Sequence, residues 1–142
     1  MYPFAVPESI GDAQAIADVT SYIQKLPMNP DHGKGEWAED SPEFRNGRQL
    51  YINGCIKCHG QYGRGSEEKF YPRLDGQHYN YMLRQLIWIR DGKRRNANEH
   101  MVEQIKRFNY KELQMVSNYV SRMPVNKKDL APSADWRNPD LY

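Results

Sequence analysis

The sequence has few cysteines, no long apolar run and almost no excess of charge. Only two cysteines occur among the 142 residues, which excludes a framework of several disulfides. No apolar stretch approaches the roughly 20 residues that cross a bilayer, and the first ten residues lack a basic start followed by an apolar run. The formal net charge is +2, so no strong field attracts nucleic acid or lipid. We therefore expect neither a nucleic-acid partner nor a membrane span.

One short motif, Cys55-Ile56-Lys57-Cys58-His59, uses both cysteines of the chain. Two cysteines three positions apart, followed directly by a histidine, are the attachment signature of a c-type haem. If the segment is helical, one turn places Cys55 and Cys58 on one face, where both thiols can add to the vinyl groups of one porphyrin. His59 then points at the iron as the proximal ligand. The motif predicts one covalently attached haem c.

Two other uses of a Cys-x-x-Cys pair fit the sequence poorly. A thioredoxin-like redox motif needs a preceding strand in a βαβ context, and residues 49–54 show no strand alternation. A zinc site needs further ligands, and the remaining histidines, His32, His78 and His100, are not at ligand spacing.

Three segments around the motif have helical periodicity, and no segment reads as a strand. Ser41 is followed by Pro42 and Glu43, the order expected at a helix start. The glycine-rich residues 60–65 predict a loop directly after the motif. The expected helices run from Ser41-Pro42 to about Gly54, from Tyr79 to about Arg90, and from about Asn109 to Met123.

The chain divides into three regions on this pattern. Residues 1–40 form an N-terminal extension, with one helix at 12–26 and a linker at 28–40. Residues 41–124 form the haem-binding domain, and residues 125–142 read as an extended C-terminal tail without its own core. We expect the extension to be the remnant of a preceding domain.

That expectation comes from a partial internal repeat. Residues 16–27 (IADVTSYIQKLP) align with residues 113–124 (LQMVSNYVSRMP), with the apolar stripe in the same phase. The matched pairs include Tyr22 with Tyr119 and Pro27 with Pro124. Any two amphipathic helices share a period, so duplication and coincidence both remain open.

The motifs together resemble a class I c-type cytochrome, similar to the small periplasmic bacterial cytochromes c of the mono-haem and tandem di-haem kinds. The resemblance covers residues 44–124. It rests on Gly47, Leu50 and Tyr51 before the haem motif, on the loop from Tyr71-Pro72 to Gln77, and on Arg95-Asn96 followed by Met101 and the last helix. It implies an all-α fold in which the first and last helices cross at Gly47. It also implies that the carbonyl of Pro72 accepts a hydrogen bond from His59.

The sixth iron ligand is a separate question. Thioether sulfur is a soft ligand, and His/Met ligation raises the reduction potential, which suits an electron carrier. Met82, Met115 and Met123 lie in helical patterns, where methionine usually fills a core. Met101 instead follows the polar stretch 92–100, so it is the predicted distal ligand. His100 is the alternative and would give a bis-histidine centre.

These features predict a one-electron carrier rather than an enzyme. The partners would be redox proteins, steered by cations such as Lys57 and Arg95. Attachment of this kind resembles chemistry done after export, so we expect a periplasmic protein whose leader has been removed. A fixed electron-relay subunit of a larger complex is the alternative, and a haem peroxidase is disfavoured because a methionine at 101 argues against an open site. The apolar stripe at Ile16 to Leu26 also allows a homodimer.

Overall fold

The computed structural model describes residues 7–25 and 33–129. By its internal contacts the chain forms two compact units, residues 1–31 and 32–142. Within the described residues the structure is helical, and the only pairing of extended backbone found there is an isolated bridge between Ser66 and Tyr71. The helices are α1 (Pro7–Ile10), α2 (Ala13–Gln24), α3 (Pro42–Gly54), α4 (Ile56–His59), α5 (Tyr79–Arg90), α6 (Glu99–Ile105) and α7 (Tyr110–Val120).

The first unit contains α1 and α2. Asp12 begins α2, because its side chain accepts a hydrogen bond from the backbone N–H of Ala15 at 3.0 Å. The predicted helix at 12–26 is present as Ala13–Gln24, with Lys25 as its C-cap; position 26 lies outside the described part of the chain.

The second unit is built on α3, α5 and α7. Ser41 caps α3 by accepting from the N–H of Phe44 at 3.1 Å, and Asn109 caps α7 through a reciprocal pair of hydrogen bonds with Glu112. The predicted starts of α3 and α5 match the structure. α7 ends at Val120 rather than at Met123, because residues 121 and 122 form a turn before Pro124.

The close approach of α3 and α7 depends on Gly47. A Cβ atom at this position would overlap the backbone carbonyl oxygen of Met115 and lie 3.3 Å from the Cβ of Tyr119. The two helices therefore cross where α3 has no side chain. Both pack on a core with α5 and α6, formed by Tyr51, Met82, Leu86, Ile89, Ile105, Phe108, Leu113, Val116, Val120 and Met123.

Residues 33–37, within the segment that the sequence pattern assigned to a linker, are bound to the end of α7. The Asn118 side chain accepts from the N–H of Trp37 at 3.1 Å and donates to its carbonyl at 3.0 Å. Ser121 Oγ accepts from the N–H of Gly35 at 3.1 Å, and Arg122 donates to the Gly35 carbonyl at 2.7 Å. This strap satisfies the buried amide of Asn118, whose exposed fraction is 0%.

Two helices, the short α1 and α6, were not expected from the sequence. α6 (Glu99–Ile105) begins at the cap Asn98, whose side chain accepts from the N–H of His100 at 3.0 Å. It is short and mostly polar, so its periodicity is weak, and only Ile105 is fully buried. Its presence places Met101 on a helix instead of in a loop.

Candidate functional site

The two cysteines lie at the junction of α3 and α4. Cys55 follows the last residue of α3, and its carbonyl accepts hydrogen bonds from the N–H groups of Cys58 at 3.2 Å and His59 at 3.0 Å. The three residues therefore share one helical turn, as thioether attachment to one porphyrin requires. Both thiols are free of disulfides.

The environments of the two thiols differ. Cys58 is exposed, whereas Cys55 is partly buried against the core. Burial, with a smaller contribution from Cys58, raises the pKa of the Cys55 thiol to about 12. Without haem, Cys55 is therefore a neutral thiol at physiological pH, and a thioether would remove its titration altogether.

His59 is held in one orientation by the loop that follows it. Its ring is buried, with 5% of its surface exposed, and Nδ1 lies 2.9 Å from the carbonyl oxygen of Pro72. A carbonyl can only accept, so Nδ1 carries the proton and Nε2 keeps its lone pair. Burial lowers the pKa of His59, although the bond to Pro72 acts in the opposite direction. The result is a neutral imidazole, the form that binds a metal.

The loop between α4 and α5 positions the Pro72 carbonyl. Ser66 and Tyr71 exchange two backbone hydrogen bonds, each 2.9 Å long. Arg73 holds the buried carboxylate of Asp75 through two contacts, at 2.5 and 2.8 Å. The sequence pattern assigned no separate role to these four residues. The Arg-x-Asp spacing was the only available signal, and it becomes informative only once burial of Asp75 is known.

Met101 and His100 lie next to each other on α6 but in different surroundings. Met101 is partly buried and packs against the hydrophobic core, as Cys55 and Ile56 do. His100 is exposed. Met82 and Met123 are members of the core itself. Of these candidates, Met101 is therefore the methionine that combines partial exposure with contact to the core.

These donors fit a haem c. They comprise two free thiols on one turn, a neutral imidazole with an available Nε2, and a partly buried thioether on a separate helix. Across the parts of the chain that the structure describes, no group of three or more His, Cys, Asp or Glu residues is arranged to hold a metal ion. Within those same parts no helix is long and apolar enough to cross a membrane.

The fold and this donor set define a class of protein: a helical domain that carries a covalently attached haem for electron transfer. Comparison with known proteins agrees, because the family model for cytochrome c matches residues 44–124, more than half of the chain. The chain belongs to the cytochrome c family and carries the class I fold with a c-type haem, as the sequence predicted. Membership of this family supports electron transfer by that haem as the function of the domain.

Several relatives are known in sequence or structure. The chain is 30% identical over 117 residues to cytochrome c4 of Azotobacter vinelandii, covering 75% of this chain and 53% of the relative. It is 31% identical over 125 residues to cytochrome c-552 of Acidithiobacillus ferridurans, covering 87% and 52%. The fold is similar to that of reduced cytochrome c4 from Pseudomonas stutzeri, with a TM-score of 0.57, 24% identity, and coverage of 80% and 62%. The chain thus spans about half the length of the curated relatives.

Proposed function

We propose that this chain is a periplasmic one-electron carrier, with one haem attached through Cys55 and Cys58 and ligated by His59 and Met101. The observation that carries the proposal is the neutral His59 ring beside Cys58, with Nδ1 at 2.9 Å from the Pro72 carbonyl. When bound, the haem supplies a ferric/ferrous couple that accepts and releases one electron. Periplasmic location is proposed because attachment of this kind resembles chemistry done after export.

The role of the protein is to keep the ligands unchanged between the two oxidation states. The Pro72 carbonyl prevents rotation of the His59 ring, fixes its tautomer and increases its basicity. Packing of Cys55 against the core holds the attachment segment in place. The ring is buried, which keeps water and protons away from the ligating nitrogen.

Methionine ligation is proposed over bis-histidine ligation because of the surroundings on α6. An exposed side chain such as His100 would have to turn inward to reach the porphyrin, whereas Met101 already contacts the core. Thioether ligation also raises the potential.

Covalent attachment is tested by mass spectrometry of the denatured protein. We expect one haem per chain, and loss of that mass when both cysteines are changed to alanine. Cys58→Ala alone should leave haem held by a single thioether. If haem from the wild-type chain enters acidified organic solvent, covalent attachment is refuted.

The distal ligand is tested by Met101→Ala, with Met115→Ala as the control. Met115 lies on α7 at the crossing with α3, where its backbone carbonyl oxygen lies against Gly47, and it is not the proposed ligand. We expect the far-red charge-transfer band of ferric thioether ligation to disappear only in Met101→Ala, and the potential to fall. A band that survives this substitution assigns the ligand elsewhere, and its absence from the wild type favours His100.

The partners are proposed to be redox proteins with acidic docking surfaces. Lys57 is exposed within the attachment motif, and Lys93 and Arg95 are exposed in the segment before α6. Opposite charges accelerate encounter and are screened by salt. The rate of reduction by an acidic redox protein should fall with ionic strength, and Lys57→Glu should reduce that dependence. A rate that is independent of salt would contradict acidic docking.

A homodimer through α2 is a further proposal. Its apolar face is exposed, with exposed fractions of 41% for Ile16, 43% for Val19 and 59% for Ile23. A face of this kind is self-complementary about a twofold axis. Ile23→Glu should convert a dimer into a monomer in light scattering, whereas Ala17→Glu on the opposite face should not. A monomeric wild type contradicts the dimer.

The same exposed face favours a second candidate function, a fixed relay subunit of a larger redox complex. In that case the wild-type chain should elute with a larger assembly when mixed with cell extract, and Ile23→Glu should elute alone. Elution of both proteins at the size of the free chain would contradict the relay role.

A further inference from the structure

Gly65 lies between the backbone of His59 and the carbonyl group that orients its ring. We infer that Gly65 is a positioning residue for the proximal ligand, because the absence of its side chain lets the Pro72 carbonyl reach Nδ1. This inference rests on the proposed ligand role of His59. It concerns a residue to which the sequence pattern gave only the role of a loop glycine.

Gly65 contacts both halves of the His59 arrangement. Its N–H donates to the His59 carbonyl at 3.0 Å, which ties the loop to the end of α4. A Cβ atom at position 65 would lie 2.7 Å from the Pro72 carbonyl oxygen and 2.8 Å from its carbon, and would overlap the carbonyl oxygen of Tyr71. These neighbours are backbone atoms, so no flexible side chain can move to make room.

The backbone conformation at this position independently favours glycine. Gly65 has φ +67°, in the left-handed region that side chains rarely adopt. Strain alone would therefore destabilise the loop with any other residue. The inference needs the second effect, displacement of the Pro72 carbonyl, and the two effects can be separated experimentally.

Displacement of that carbonyl should weaken its bond to His59. The distance from Nδ1 to the Pro72 oxygen is 2.9 Å, already an ordinary hydrogen-bond length. The residues on either side of Pro72 are anchored, because Tyr71 is paired with Ser66 and Arg73 is held by Asp75. A methyl group at position 65 therefore moves the carbonyl away from its bonded geometry, which lengthens or tilts the bond.

A weaker bond to Pro72 changes the chemistry of His59. The bond increases the basicity of the imidazole, and a more basic ligand favours the ferric over the ferrous state. Weakening it removes part of that preference. Gly65→Ala should therefore raise the reduction potential. The effect is indirect, because it acts through the Pro72 carbonyl.

The matched control is Gly60→Ala. Gly60 also has a positive φ, +76°, but a Cβ atom there would have no atom within 4 Å. Both substitutions place a side chain on backbone of positive φ, and both positions lie close to His59, since Gly60 follows it and the N–H of Gly65 donates to its carbonyl. We expect both to lose stability in denaturant unfolding, and only Gly65→Ala to raise the potential and shift the Nδ1 proton resonance of His59. Equal potentials in the two variants, or a lower potential in Gly65→Ala, would overturn the inference.

A measurement on the unmodified haem protein covers the case in which Gly65→Ala does not fold. The Nδ1 proton of His59 and the amide proton of Gly65 should show the same protection against exchange, each relative to its own intrinsic rate, because one loop opening breaks both bonds. An unprotected Nδ1 proton beside a protected Gly65 amide would overturn the inference. Mass spectrometry separates the proposals: absence of covalent haem refutes the proposed function itself, whereas covalent haem with equal potentials refutes only the role of Gly65.

Discussion

α2 and α7 have the same sequence pattern and opposite surroundings. Aligning Ile16 with Leu113 also aligns the two caps, Asp12 and Asn109, each of which accepts from the backbone N–H three residues later, at 3.0 and 2.9 Å. The structure therefore extends the repeat to the helix start. Only α7 has the second half of the capping box, from Glu112; Ala15 stands at the matching position of α2.

The difference lies in what the apolar stripe contacts. The exposed fractions are 0% for Leu113 and 2% for Val120, against 41% for Ile16 and 59% for Ile23 at the matching positions of α2. α7 packs on α3 and α5 within its own unit, and the described part of the first unit supplies only the short α1 beside α2. An amphipathic stripe thus specifies a helix, whereas its burial depends on partner surfaces that the stripe does not encode.

Substitutions at the matching residues Leu113 and Ile16 should differ most in their effect on the free energy of unfolding. Leu113→Ala removes a fully buried side chain from the core and should reduce the free energy of unfolding by about 2–5 kcal/mol. Ile16→Ala should change it by less than about 1 kcal/mol, because Ile16 is already half exposed. Urea unfolding of the haem protein, followed by haem absorbance, measures both. Equal losses would show that the face of α2 is buried in solution.

The close packing of α7 on α3 depends on Gly47, so Gly47→Ala should reduce the burial that stabilises α7. The new methyl group would overlap the backbone of Met115, and separating the helices should cost about 3 kcal/mol. Gly54→Ala is the control on the same helix. Its Cβ would meet the amide end of the Gln104 side chain at 2.9 Å, which can move, and the ring of Phe108 at 3.2 Å, which must shift by only a few tenths of an ångström. A similar loss in both variants would contradict a specific crossing at Gly47.

The strap at residues 33–37 is a second contact of α7. It is hydrogen-bonded to Asn118 near the end of that helix. Asn118→Ala breaks the two hydrogen bonds to Trp37 and leaves its backbone groups unpaired, so the loss should be about 2 kcal/mol. Ser21→Ala, at the matching position of α2, should change the stability by less than about 0.5 kcal/mol. Unfolding curves test the pair, and equal values would contradict an anchoring role for Asn118.

Substitutions of the N-cap residues should differ least between the two helices in their effect on stability. Asn109→Ala removes one half of a capping box and should cost about 1 kcal/mol, with a similar local cost for Asp12→Ala in α2. Ala15→Glu should restore the missing half of the box in α2 and increase the helical signal in circular dichroism. No gain in helicity would show that the return bond does not form there.

The sequence predicted the parts of the fold that depend on neighbours along the chain. Caps and prolines fixed the starts of α3 and α7, because their bonds join residues three positions apart. α6 was missed, since its seven residues carry too short an apolar pattern. The end of α7 was placed three residues late, because a helical period does not show where the turn begins.

The candidate site also has a part that the sequence predicts and a part that only the tertiary structure shows. The five residues from Cys55 to His59 indicate by themselves that a haem is attached and predict His59 as its proximal ligand, because thiol spacing and one helical turn are local properties. Only the tertiary structure brings Pro72 to His59, Gly65 between them, and Met101 to the core. Those contacts join residues that are distant along the chain, and their geometry follows from packing and loop closure, which a pattern of residue types does not contain.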